Sequence, residues 1–137
     1  LTLTPATNPT SYDDDSVRQP SVVQTHPSRL HTVATLFGLQ PAPVQRCRVL
    51  ELGCAAGGNL IPMADYLAES EFVGVDLSAR QIQDGRAIIE AVGLSNVVLQ
   101  HASIMDVDAA YGTFDYIICH GVYSWVPQDV RDKIMQI

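Results

Sequence analysis

Apolar residues in this chain fall into two kinds of run. Short, nearly unbroken stretches such as Val49-Leu50, Phe72-Val73-Gly74-Val75, Val97-Val98-Leu99 and Tyr116-Ile117-Ile118-Cys119 are bounded by turn residues. Such runs read as buried strands, and they predict strands over 47–52, 71–75, 97–100 and 114–119. Between them the apolar positions recur every three or four residues. This predicts helices over 59–67 and 78–91, the second ending near Gly93. Ser78 with Gln81 three residues later has the spacing of a capping box. Earlier, Leu30, Val33, Ala34 and Phe37 keep helical spacing from Ser28 to a stop at Gly38, and Pro27 suits the start of that helix. A last helix begins in 128–137.

Strands alternating with helices imply an α/β fold, a Rossmann-like doubly wound and mostly parallel sheet with right-handed crossovers. The expected organisation is a flexible N-terminal tail over 1–20, rich in Thr, Pro, Asp and Ser, then a helix and Pro-rich connector over 21–43. A cofactor-binding half-domain follows over 44–137. Ile137 falls inside a continuing amphipathic pattern and the first residue is not methionine, so the chain reads as a fragment truncated after the fourth strand. The uncovered edge of that strand is expected to promote self-association.

Composition narrows the chemistry. A length of 137 residues with 47% hydrophobic and 17% charged positions is an ordinary globular balance. Net charge is −7 with no Lys/Arg cluster, which argues against nucleic-acid partners. No apolar run reaches the roughly 20 residues of a membrane span, and no signal-peptide pattern opens the chain. Cys47, Cys54 and Cys119 lie in or beside the strands, without metal-ligand spacing, and suit buried thiols in a reducing, cytoplasmic compartment. No metal is expected.

The chemistry concentrates where the first strand ends. Glu51-Leu52-Gly53-Cys54-Ala55-Ala56-Gly57-Gly58-Asn59 passes from an apolar run into small residues that let backbone N–H groups approach a ligand, and Val75-Asp76 ends the next strand in a carboxylate suited to a ribose diol. Gly53-x-Ala55-x-x-Gly58 is a loose match to a dinucleotide fingerprint, so an NAD-dependent oxidoreductase is one reading. Glu51 opposes it, because a carboxylate two residues before the first glycine would sit near a pyrophosphate. It suits a cofactor bearing a positive charge or an ammonium group. A non-catalytic cofactor-binding or scaffold fragment is a further alternative.

On these residues the chain resembles the class I S-adenosylmethionine-dependent methyltransferases. Glu51-x-Gly53-x-Ala55-x-Gly57 corresponds to their first motif, Asp76 to the acidic residue after the second strand, 101–106 to the loop beside the adenine, and 114–120 to the strand ending near the methyl donor. The wording of Gln24-Thr25-His26-Pro27, of 57–64 and of 120–126 is similar to bacterial methyltransferases that carry a downstream methyltransferase regulatory domain.

The resemblance implies S-adenosylmethionine as cofactor, with S-adenosylhomocysteine as product. It implies cofactor contacts from Glu51, Gly53, Ala55, Gly57, Asn59, Asp76, Leu77, Ser103, Ile104 and His120. Glu51 would hold the amino group, Asp76 the ribose, and Leu77 and Ile104 the two faces of the adenine. Ser103 stands where many relatives have an aspartate for the adenine amino group, and a hydroxyl makes a weaker, uncharged contact. His120 and Tyr12 are candidate catalytic residues, and His26, Tyr123 and Trp125 candidate pocket walls. Asp115 reads as structural, bonding local backbone at the strand entrance. The acceptor is expected to be a protein, lysine side chains being one option, or a small molecule.

Overall fold

The computed structural model describes residues 21–137. Four strands, β1 (Arg48–Leu52), β2 (Glu71–Asp76), β3 (Val97–His101) and β4 (Tyr116–Ile118), form one parallel sheet in the order β3-β2-β1-β4. Helices α1 (Pro27–Leu36), α2 (Leu60–Tyr66), α3 (Ala79–Val92) and α4 (Gln128–Ile134) complete the domain, with short 3-10 turns at Val23–Thr25, Ile104–Asp106 and Ala109–Tyr111.

The chain steps outward from β1 to β2 to β3, then returns to pair β4 with the other side of β1. Right-handed crossovers therefore put α2 and α3 on one face and send the later elements to the other. Side-chain alternation on β1 follows this division. Val49 packs with Leu60, Met63, Phe72, Ile82 and Leu99, whereas Leu50 and Leu52 pack with Val75 and Val107, joined by the half-buried Ile104 and Ile134. The reversal of strand order between β1 and β4 creates a crevice at the carboxyl ends of the strands, where open α/β sheets bind ligands.

Two local devices fix the helices. His26 Nδ1 accepts from Ser28 N at 3.2 Å, with Pro27 opening α1. Ser78 caps α3, its hydroxyl accepting from Gln81 N at 3.3 Å, and Gly93 closes the helix in a left-handed conformation. The fourth strand is shorter than the run over 114–119 predicts. Its entrance is a side-chain latch: Arg48 N donates to Asp115 Oδ2 at 2.7 Å, and the Arg48 guanidinium lies 4.7 Å from the centroid of the Phe114 ring. The apolar stripe of the first helix also behaves differently from a core-facing one. Leu30 packs on the core, but Val33 and Phe37 are 44% and 82% exposed.

Candidate active site

The loop joining β1 to α2 is built on left-handed backbone at Gly53 (φ 75°), Ala55 (φ 49°) and Gly57 (φ 74°). Gly53 N and Cys54 N both donate to Val75 O, at 2.8 and 3.1 Å, which folds the loop across the end of β2. Gly53 has a second reason to lack a side chain: a Cβ there would collide with the Val122 side chain from the loop after β4. The loop thus passes between the end of β2 and the segment that follows β4.

Asp76 ties these parts together. One carboxylate oxygen accepts from Ala55 N and the other from Ser78 N, each at 2.8 Å. A carboxylate has about four lone-pair positions, so two backbone bonds fix its orientation and leave acceptor capacity for a ligand diol. Ser103 is also anchored locally, its hydroxyl accepting from Met105 N at 3.1 Å while Asp106 Oδ2 accepts from Ser103 N at 3.2 Å.

A pocket of about 320 Å³ opens at this junction, within the few-hundred Å³ of small-molecule sites. Gly53, Ala55, Asp76, Leu77, Ser103 and Ile104 line it, so six of the sequence-predicted positions converge on one cavity. The opposite wall is Val122, Val126 and Val130, with Gly121 and Pro127. Sequence reasoning picked the aromatic neighbours in this segment instead. Trp125 is 81% exposed and Tyr123 lies outside the pocket wall, its ring 5.7 Å from the Arg131 guanidinium. The spacing of valines at 122, 126 and 130 was the available signal.

Glu51, Gly57, Asn59 and His120 do not line this cavity. His120 is exposed, one residue before Gly121 of the pocket wall. His26 caps α1 and meets the Tyr66 ring edge-on at 6.5 Å between centroids, away from the pocket. Tyr12 lies outside the described residues.

Glu51 is 2% exposed and Asn59 1%. Glu51 Oε1 accepts from Asn59 Nδ2 at 2.8 Å, and Oε2 has no hydrogen-bond partner among the described residues. Burial pushes the Glu51 carboxyl up to about 7, the nearby Asp76 charge pushing the same way and the Asn59 bond opposing them. Cys54 is fully buried in the core, and burial raises its thiol well above the ordinary range. Asn59 is occupied by the protein. Its second N–H donates to Thr25 Oγ1 at 3.0 Å and its carbonyl accepts from Val22 N at 2.9 Å. Its place is therefore behind the Glu51 carboxylate, where both amide hydrogens are already committed.

A parallel sheet with this strand order, a loop of small residues after its first strand and a clamped aspartate after its second defines a Rossmann-like nucleoside-binding domain. The chain belongs to the methyltransferase domain family, which residues 49–137 match. It is 50% identical over 126 residues to an uncharacterised protein of Rickettsia prowazekii, covering 92% of this chain and 23% of that protein. A second uncharacterised protein of that organism is 44% identical, with 96% of this chain and 52% of the other covered. The chain thus spans about a quarter and about half of these relatives. Among solved structures, PKMT2 from Rickettsia typhi in complex with AdoHcy superposes with a TM-score of 0.83 at 45% identity, over 85% of this chain and 22% of that one.

The domain is a class I methyltransferase domain, and its cofactor is S-adenosylmethionine. The residues present fit that molecule: a fixed carboxylate for a diol, an apolar slot for a purine, a small-residue loop, and a buried carboxylate oxygen in want of a cationic donor.

Proposed function

We propose that the whole protein transfers a methyl group from S-adenosylmethionine to a protein side chain, a lysine amine being the acceptor of choice. The observation that carries the reading is the Asp76 carboxylate, held by Ala55 N and Ser78 N on one wall of the pocket. When bound, the cofactor supplies an electrophilic methyl on a sulfonium, with a neutral thioether as leaving group. The chain's own work is alignment and exclusion of water. Leu77 and Ile104 offer apolar surface to the adenine, Asp76 orients the ribose, and Val122, Val126 and Val130 keep the far wall dry.

The acceptor reading rests on the family resemblance and on the exposed aromatic Trp125 beside the pocket-lining Val126, since such a ring can pack on a cationic or methylated side chain. His120, exposed next to the pocket wall, is the candidate base for an acceptor that arrives protonated. The complete protein is proposed to continue into a methyltransferase regulatory domain, a reading supported by the greater length of the relatives, and to work in the cytoplasm, where free cysteines such as Cys47, Cys54 and Cys119 persist.

Calorimetry with S-adenosylhomocysteine and with NAD tests the cofactor. Binding of the first without the second is expected, and the reverse would sink the reading. Methyl transfer from labelled cofactor to lysine-rich proteins, to their lysine-blocked forms and to small amines tests the acceptor. Label that persists on blocked protein, or that appears only on small amines, overturns the lysine assignment.

A further inference from the structure

Two segments far apart in sequence meet at Asn59. Its side chain, 1% exposed, joins the carboxylate of Glu51 at the end of β1 to Val22 and Thr25 of the N-terminal segment, through bonds of 2.8, 2.9 and 3.0 Å. Thr25 closes the turn on itself, its hydroxyl donating to Val22 O at 2.9 Å. The segment is bonded to Asn59, just after the first motif, without lining the 320 Å³ pocket. Nothing in the reading of the loop as a cofactor cradle accounts for it.

Glu51 Oε2 supplies the second observation. It is buried in a residue 2% exposed and has no hydrogen-bond partner among the described residues, whereas buried polar atoms are paired in the great majority of cases. A carboxylate oxygen with its other partner fixed is an acceptor awaiting a donor, and a cationic donor suits it best. The amino end of the cofactor has that charge.

We infer that Asn59 is a positioning residue that couples the Val22–Thr25 segment to the amino end of the cofactor, by holding Glu51 Oε1 while Oε2 receives the ammonium group. The inference rests on S-adenosylmethionine being the cofactor. Asn59 touches no reacting atom. Ionisation of Glu51 against the ammonium turns the Asn59 bond into a charge-assisted one, which is shorter and stronger than a neutral bond. The amide that tightens on Glu51 is the same group that already grips Val22 and Thr25, so occupancy of the amino end strengthens the hold on the N-terminal segment.

The test compares S-adenosylhomocysteine with 5′-methylthioadenosine, which keeps the nucleoside and lacks the amino-acid end, on the full chain and its variants. Asn59→Ala is expected to weaken S-adenosylhomocysteine about tenfold and methylthioadenosine less than twofold. Thr25→Val leaves the Glu51–Asn59 bond in place and guards against a folding defect in the first variant. It is expected to show the same selectivity at about threefold. Hydrogen exchange at the Val22 amide should slow when S-adenosylhomocysteine binds the unaltered chain, and should not respond to methylthioadenosine. Equal losses for the two ligands, or a Val22 amide indifferent to S-adenosylhomocysteine, overturn the inference while leaving the cofactor reading intact. Binding of neither ligand by the unaltered chain overturns both.

Discussion

Ala55 N–H donates to the Asp76 carboxylate at 2.8 Å, so the residue that bends the first loop is held by the residue that ends the second strand. This bond, with Ser78 N on the other oxygen, fixes the orientation of a carboxylate that lines the pocket. Asp76→Ala should lower S-adenosylhomocysteine affinity by about 100-fold, since bonds to a charged group contribute about 1.5–3 kcal/mol each. Asp76→Asn keeps one acceptor oxygen and should fall between. Calorimetry reads the affinities, and an Asp76→Ala chain that folds and binds normally would remove Asp76 from the site.

Ala55 itself carries a strain that glycine would relieve. Its φ of 49° is left-handed, which costs a non-glycine residue roughly 1–2 kcal/mol. Glycine recovers that but loses roughly 0.5–1 kcal/mol through the greater freedom of the unfolded chain. Ala55→Gly should therefore raise stability by about 0.5–1 kcal/mol in denaturant titration. Ala55→Val, β-branched at the same angle, should lower it by more than that.

Gly53 is constrained twice, by its own φ of 75° and by Val122 against it. Gly53→Ala should abolish ligand binding and cost about 2–5 kcal/mol, combining left-handed strain with overpacking. Adding Val122→Ala removes the collision and leaves the backbone strain, so the double variant should regain part of the stability. Strict additivity of the two changes would show that the β1 loop and the segment after β4 do not touch in solution.

Glu51 gives the fold a pH signature. Its carboxyl is raised from an ordinary 4.5 to about 7, chiefly by burial, so between those values the folded chain holds a proton that the unfolded chain has released. Stability contributed by this group is present below about pH 4.5, declines as pH rises through about 7, and levels off above it. The loss should be about 1–3 kcal/mol, from 1.36 kcal/mol per pH unit discounted for relaxation of the site. Glu51→Gln should flatten that slope in melts across the window. S-adenosylhomocysteine binding should strengthen over the same rise, because the ionised carboxylate is the form that pairs with an ammonium. A slope unchanged in Glu51→Gln assigns it to another group.

The sequence carried the local rules well. The ends of α3 were readable from Ser78 and Gly93: the first caps through its hydroxyl, and the second takes the left-handed conformation that a missing Cβ permits. Asp115 was legible as a latch on backbone at a strand entrance, and it bonds Arg48 N. The pocket was half legible. Its first wall follows motifs, whereas its second wall is the valine series at 122, 126 and 130, which looks like any helical stripe until β4 brings it across the crevice. Trp125 and Tyr123 were the conspicuous residues there, yet a large ring near a cleft carries no information about its direction.

By itself the sequence determined the strands, the helices and the two carboxylates, Glu51 and Asp76, at the ends of their strands. Periodicity, capping and turn chemistry act over a few residues, so they are written locally. Only the tertiary structure decided that Asp76 is clamped by Ala55 across 21 residues, that Glu51 is buried behind Asn59, and that Asn59 reaches 37 residues back to Val22. It also decided that Val33 and Phe37 face outward despite their helical spacing. Those relationships depend on which elements the crossovers bring together, and their energies come from burial and pairing between segments that a linear pattern cannot place side by side.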